Sequence, residues 1–153
     1  MYNFYLASDT LRDVLKGVGF KTVTFGEFSD LDLSRKTIFP NAHIVPGPMQ
    51  LNPRVIGYTF RVTASDIVNF SKDDPADLDD PFLGLNNTQD IFNDLATRLS
   101  NAVDTLRRKA FDDMPTEVLV APSIDPFMEK HENILTGWTI EITINMPSDA
   151  TIC

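Results

Sequence analysis

From Trp138 to Met146 apolar and polar residues alternate without a break, with Trp138, Ile140, Ile142, Ile144 and Met146 set against Thr139, Glu141, Thr143 and Asn145. Successive side chains of an extended strand point to opposite faces, so a period of two gives one apolar and one wettable face. Such a strand calls for a half-buried antiparallel sheet. Residues 54–65 repeat the pattern: Ile56, Tyr58, Phe60, Val62 and Ala64 share one face, and Gly57, Thr59, Arg61 and Thr63 the other. Continuation over 66–70 is expected to require a bulge, because Ile67 and Val68 are apolar in succession and the strict alternation is lost before Phe70.

The sheet needs something to cover its apolar face, and residues 88–110 supply it. Ile91, Leu95, Leu99, Val103 and Leu106 recur at three- and four-residue steps, with Phe92 and Ala102 widening the stripe of a long amphipathic helix. Asn87 is its expected cap with Asp90 three residues on, and Arg107, Arg108 and Lys109 suit the negative end of the helix dipole. That local role weakens any nucleic-acid reading of the three cations. A shorter helix is expected over 10–16, capped by Ser8 or Asp9 and stopped by Gly17 and Gly19.

Short strands are expected at 22–28, 42–45 and 117–121. Pro40, Pro46, Pro48 and Pro53 oppose a long central strand over 39–53, since each removes a ladder donor, so residues 47–53 are expected to turn into the next strand. Residues 122–137 alternate only until Pro126 and Gly137 interrupt them, and receive no strand. The expected fold is α+β: a single small domain over residues 1–153, its mostly antiparallel sheet packed against one long amphipathic helix and a short N-terminal helix.

Chemistry is less legible. A formal charge of −9 opposes binding to a phosphate backbone, and suits a surface past which DNA slides, although solubility alone also explains acidity. Cys153 is the only cysteine, so no intrachain disulfide and no cysteine metal cluster is available. No targeting segment or membrane-length apolar run is evident, so a soluble protein with no membrane partner is expected. Residues 71–84, SKDDPADLDDPFLG, hold Asp73, Asp74, Asp77, Asp79 and Asp80; they lack the central glycine and terminal glutamate of an EF-hand, and read as a solvated loop or an intersubunit contact. His43 and His131 sit in no HExxH, Ser8–Asp9 and Ser65–Asp66 in no GxSxG, and no glycine cradle for a nucleotide is present. No catalytic, cofactor or metal residue is nominated, and no cofactor is expected. Trp138 reads as core or as an assembly contact.

Several segments together resemble the small tail terminator, or tail completion, proteins of tailed bacteriophages: HIVPG at 43–47, RVIGYTFRV at 54–62, the acidic loop, IFNDLATRL at 91–99 and LTGWTIEITINMP at 135–147. The resemblance implies a structural virion protein that forms a ring, commonly hexameric, on the last ring of the tail tube. Its partners would be further copies of itself, the tube protein and a neck connector, with DNA passing through the channel unbound, at the tail–neck junction of a virion assembled in the host cytoplasm. It also implies that residues 46–53 and the acidic loop reach a neighbour, which makes Pro46, Met49, Leu51, Asp73, Asp74, Asp77, Asp79, Asp80 and Phe82 candidate contacts. It carries over no catalytic position. A head completion or neck connector protein, a non-enzymatic binding module and an enzyme using His43, His131 or an unadvertised carboxylate pair remain open alternatives.

Overall fold

The computed structural model describes residues 3–27, 39–67, 88–108, 116–121, 123–130 and 135–147. They form α1 (Asn3–Gly17), β1 (Thr22–Phe25), β2 (Asn41–Asn52), β3 (Val55–Ile67), α2 (Thr88–Arg108), β4 (Glu117–Val120), β5 (Asp125–Lys130) and β6 (Leu135–Pro147). The strands make one sheet in the order β1-β2-β3-β6-β4, with β5 also paired to β6. All pairs are antiparallel except β1 with β2. The α+β expectation holds, with a mixed sheet.

β3 and β6 form the centre. They pair from Val55↔Pro147 to Ile67↔Leu135 in unbroken register, so the apolar sets Ile56–Ala64 and Trp138–Met146 fall on one face. β3 therefore runs on through Asp66 and Ile67 with no bulge, contrary to the sequence expectation; residues 68–70 lie outside the described residues. Phe60, Val62, Ile140, Ile142, Ile144 and Met146 are essentially inaccessible, each contributing roughly 1.5–3 kcal/mol of burial on transfer arguments. Both helices cover this face: α2 turns Ile91, Leu95, Leu99, Ala102 and Leu106 onto it, and α1 turns Ala7, Leu11 and Leu15 into the same core.

α1 starts seven residues before the expected Thr10, and Ser8 is not its cap: its hydroxyl donates to the Tyr5 carbonyl at 3.3 Å. The helix ends as expected on glycine, and Gly19 is the residue that does it. With φ at +106° it lets its own N–H reach the Lys16 carbonyl (3.1 Å) while the Phe20 N–H reaches that of Leu15 (3.3 Å), which satisfies two orphan carbonyls of the last turn.

The largest departure is β2, a single strand of 12 residues where a short strand and a turn were expected. Its prolines are tolerated for two reasons. β1 pairs only with Asn41–Ile44, so beyond Val45 β2 is an outer edge and needs ladder bonds on one side alone. Between Pro46↔Phe60 and Met49↔Tyr58 three steps on β2 oppose two on β3, and this bulge absorbs Gly47 and Pro48. The turn is only Pro53–Arg54, with Arg54 at φ 70° after a proline, a type II arrangement. β1 stops at Phe25 rather than residue 28, and β5 forms where Pro126 was expected to interrupt any strand; as an edge strand it accepts proline.

Candidate assembly surface

Two apolar features on the helix side of the sheet are left uncovered by the described residues, one at each edge. The first follows the outer edge of β2. Met49 pairs with Tyr58 and Leu51 with Ile56, which places both on the core-facing side, yet they are 54% and 71% exposed because they lie beyond the cover of the helices. Every residue from Pro46 to Val55 is exposed. Phe4 joins this edge to its neighbours: its ring stands 5.5 Å from Tyr58, 5.7 Å from Phe60 and 6.4 Å from Phe25, itself half exposed. Phe4 thus packs on Tyr58, the residue with which Met49 pairs.

The second feature is a groove of about 400 Å³ between α2 and the far edge of the sheet, lined by Leu99, Val103, Val120, Ile124, Trp138 and Ile140 and rimmed by Ser100, Asp104 and Arg107. Trp138 is held rigidly: its indole N–H donates to the Phe92 carbonyl at 3.0 Å, and the Phe92 ring meets it edge-on at 5.1 Å. With the polar edge of the indole satisfied inside, its apolar surface is what the groove presents. Asp104 is also paired to Arg108 at 3.1 Å along the helix.

The opposite face of the sheet is polar. Thr59 and Thr143 share a hydrogen bond at 3.1 Å, and Arg61 lies 3.9 Å from Glu141, a pair exposed enough to contribute little. Phe127 and Leu135 form a small separate cluster with Phe39. At the β1 side His43 is buried, and its Nε2 donates to the Glu27 carbonyl at 2.8 Å while Nδ1 meets the Thr24 hydroxyl at 2.6 Å. Asn41 donates its side-chain amide to the Thr22 carbonyl at 3.2 Å. These two residues clamp the short parallel strand β1 onto β2, which is a structural use of His43.

Where α2 meets the end of α1, Arg98 donates to Asp94 at 2.8 Å and to the Val18 carbonyl at 3.4 Å. Nearby, burial pushes the Asp66 carboxyl above its ordinary 3.8, and the charge of Asp94 adds to this; the Ile67 N–H bonded to it at 2.8 Å, Arg98 and Lys21 pull the other way. Among the described residues no three His, Cys, Asp or Glu side chains come together as metal ligands, and no helix is long and apolar enough to cross a membrane.

Of the residues nominated from the sequence, Pro46, Met49 and Leu51 lie together on the exposed edge of β2, although on a strand rather than in the expected turn. Asp73, Asp74, Asp77, Asp79, Asp80 and Phe82 lie outside the described residues, as do His131 and Cys153. The groove was not foreseen: its walls come from α2, the β4–β5 edge and β6, and only Trp138 carried a signal. No protein-family model matches the chain, and neither does any curated protein.

Proposed function

We propose that this chain is a structural virion protein that assembles into a ring at the end of a phage tail tube, a tail terminator or completion protein joining the tube to the neck. The observation that carries the reading is the uncharged, exposed apolar edge of β2, where Met49 and Leu51 stand on the core-facing side of a sheet whose helices do not reach them. Contiguous exposed apolar surface of this kind marks a contact with another macromolecule, and a sheet backed by two helices is a rigid base from which to present it. The resemblance of residues 43–47, 54–62, 91–99 and 135–147 to tail terminators gives the contact its biological setting.

In this role the chain works without turnover. Its acidity, −9 overall, keeps a passing duplex from adhering, because phosphates are repelled from a surface of like charge. The reading predicts that a phage lacking this chain accumulates filled heads and separate tubes, and that the chain supplied in trans restores joined particles. Normal joined particles in its absence would refute it. Heads that leak DNA beside intact, capped tubes would instead assign the chain to the head side of the neck.

A further inference from the structure

We propose that copies of this chain join head to tail, Met49 and Leu51 on the outer edge of β2 in one copy seating in the Leu99–Val103–Val120–Ile124–Trp138 groove of the next. The inference rests on the ring reading above and supplies its interface. β2 and the β4–β5 edge lie on opposite sides of the β3–β6 pair, so the edge and the groove of one molecule cannot meet each other. Both nevertheless lie on the helix side of the sheet. A contact between two different patches at opposite edges is heterologous, and its repetition generates a ring when the rotation closes.

Charge favours a second copy as the occupant. Residues 41–53 contain no Asp, Glu, Lys or Arg, and the groove carries one charge of each sign, Asp104 and Arg107. In a chain with nine excess negative charges, copies approach at least cost where both surfaces are neutral.

The form of the two surfaces also suits side-chain docking rather than strand addition. Pro46 and Pro48 remove N–H groups from the β2 edge and the bulge distorts it, both of which discourage a neighbour from extending the ladder. The groove needs little ordering, because Trp138 is already fixed by Phe92. A well-packed pocket built around a tryptophan is where the energy of a protein contact concentrates.

Trp138 is the only tryptophan, so its emission reports the groove directly. The experiment measures acrylamide quenching of Trp138 together with sedimentation, over a range of concentrations of the full chain, alone and with tail tubes from the same virus. Two variants at exposed positions are compared, Leu51→Asp on the edge and Ile124→Asp at the groove. Wild type is expected to lose quenching as it associates, and each variant to remain monomeric and folded. Mixing the variants leaves one intact edge and one intact groove, so the mixture is expected to give dimers and nothing larger.

Variants that associate like wild type, or a mixture that stays monomeric, would overturn the inference. Rings on tube ends with Trp138 still fully quenched would overturn this interface and leave the ring reading standing. Shielded, associated copies that ignore tubes would support the interface and refute the terminator role. A wild-type chain that associates neither alone nor on tubes would overturn both.

Discussion

Replacing Gly137 by alanine is a severe test of how the two layers meet. Gly137 is buried at the start of β6, paired with Ser65, and a Cβ there would run into the backbone carbonyl of Ala64 and come within 3.1 Å of Leu95 Cδ1 on α2. The Leu95 contact can relax by a few tenths of an ångström, but the Ala64 carbonyl belongs to the central strand. Accommodating the methyl means prying β6 from β3 locally. Overpacking costs about 1–3 kcal/mol, and each weakened ladder bond about 1 kcal/mol more, so the variant should lose roughly 2–4 kcal/mol. For a domain near 150 residues that is about 4–16 °C in Tm. The assay is thermal unfolding by circular dichroism with a parallel urea titration, in which the midpoint should fall with the slope unchanged. Gly17→Ala provides the opposite sign in the same assay: nothing lies within 4 Å of its Cβ position, and alanine at a helix end should stabilise by about 0.5–1 kcal/mol. A Gly137→Ala protein that melts with wild type would refute the register and the close approach on which this fold rests.

Two further perturbations probe polar groups. His43→Ala removes a buried ring with its bonds to the Glu27 carbonyl and the Thr24 hydroxyl, leaving that hydroxyl the longer 3.4 Å bond from the Asn41 amide, so it should cost about 2–4 kcal/mol, read as a lowered urea midpoint; an unchanged midpoint would contradict the clamp on β1. For Asp66, a carboxyl pKa raised above 3.8 by burial means that the folded state holds the proton more tightly than the unfolded one. The ionised group therefore costs stability above the folded pKa, and the cost disappears as pH falls through it toward 3.8. Asp66→Asn should accordingly raise Tm at pH 7 and lose that advantage as pH falls through this window; a gap that widens on acidification would reverse the assignment.

The elements legible in the sequence were those whose two faces meet different surroundings. β3, β6 and α2 each have one covered and one wetter side, so alternation or a helical stripe marks them residue by residue. The outer half of β2 has no covered side, and its composition is that of a turn; its strand character comes from β3 beside it, which no local pattern reports. α1 was read too short for a related reason. Phe4, Tyr5 and Leu6 are apolar in succession and all partly exposed, which blurs the stripe that Phe4 begins, and Ser8 and Asp9 resemble a cap while sitting inside the helix. Met49 and Leu51 are candidate contacts only through the resemblance to tail terminators; the structure adds that both are exposed on the edge of β2. The groove that faces away from them is assembled from residues between Ala96 and Ile140, a tertiary property with no local signature.

The most direct measurement of the proposed terminator role is electron microscopy of the purified chain mixed with assembled phage tail tubes, scoring both ends of every tube. A closed ring of this protein at one end is the predicted result. Tubes with both ends bare, at concentrations where the chain is folded and in excess, would contradict the assignment.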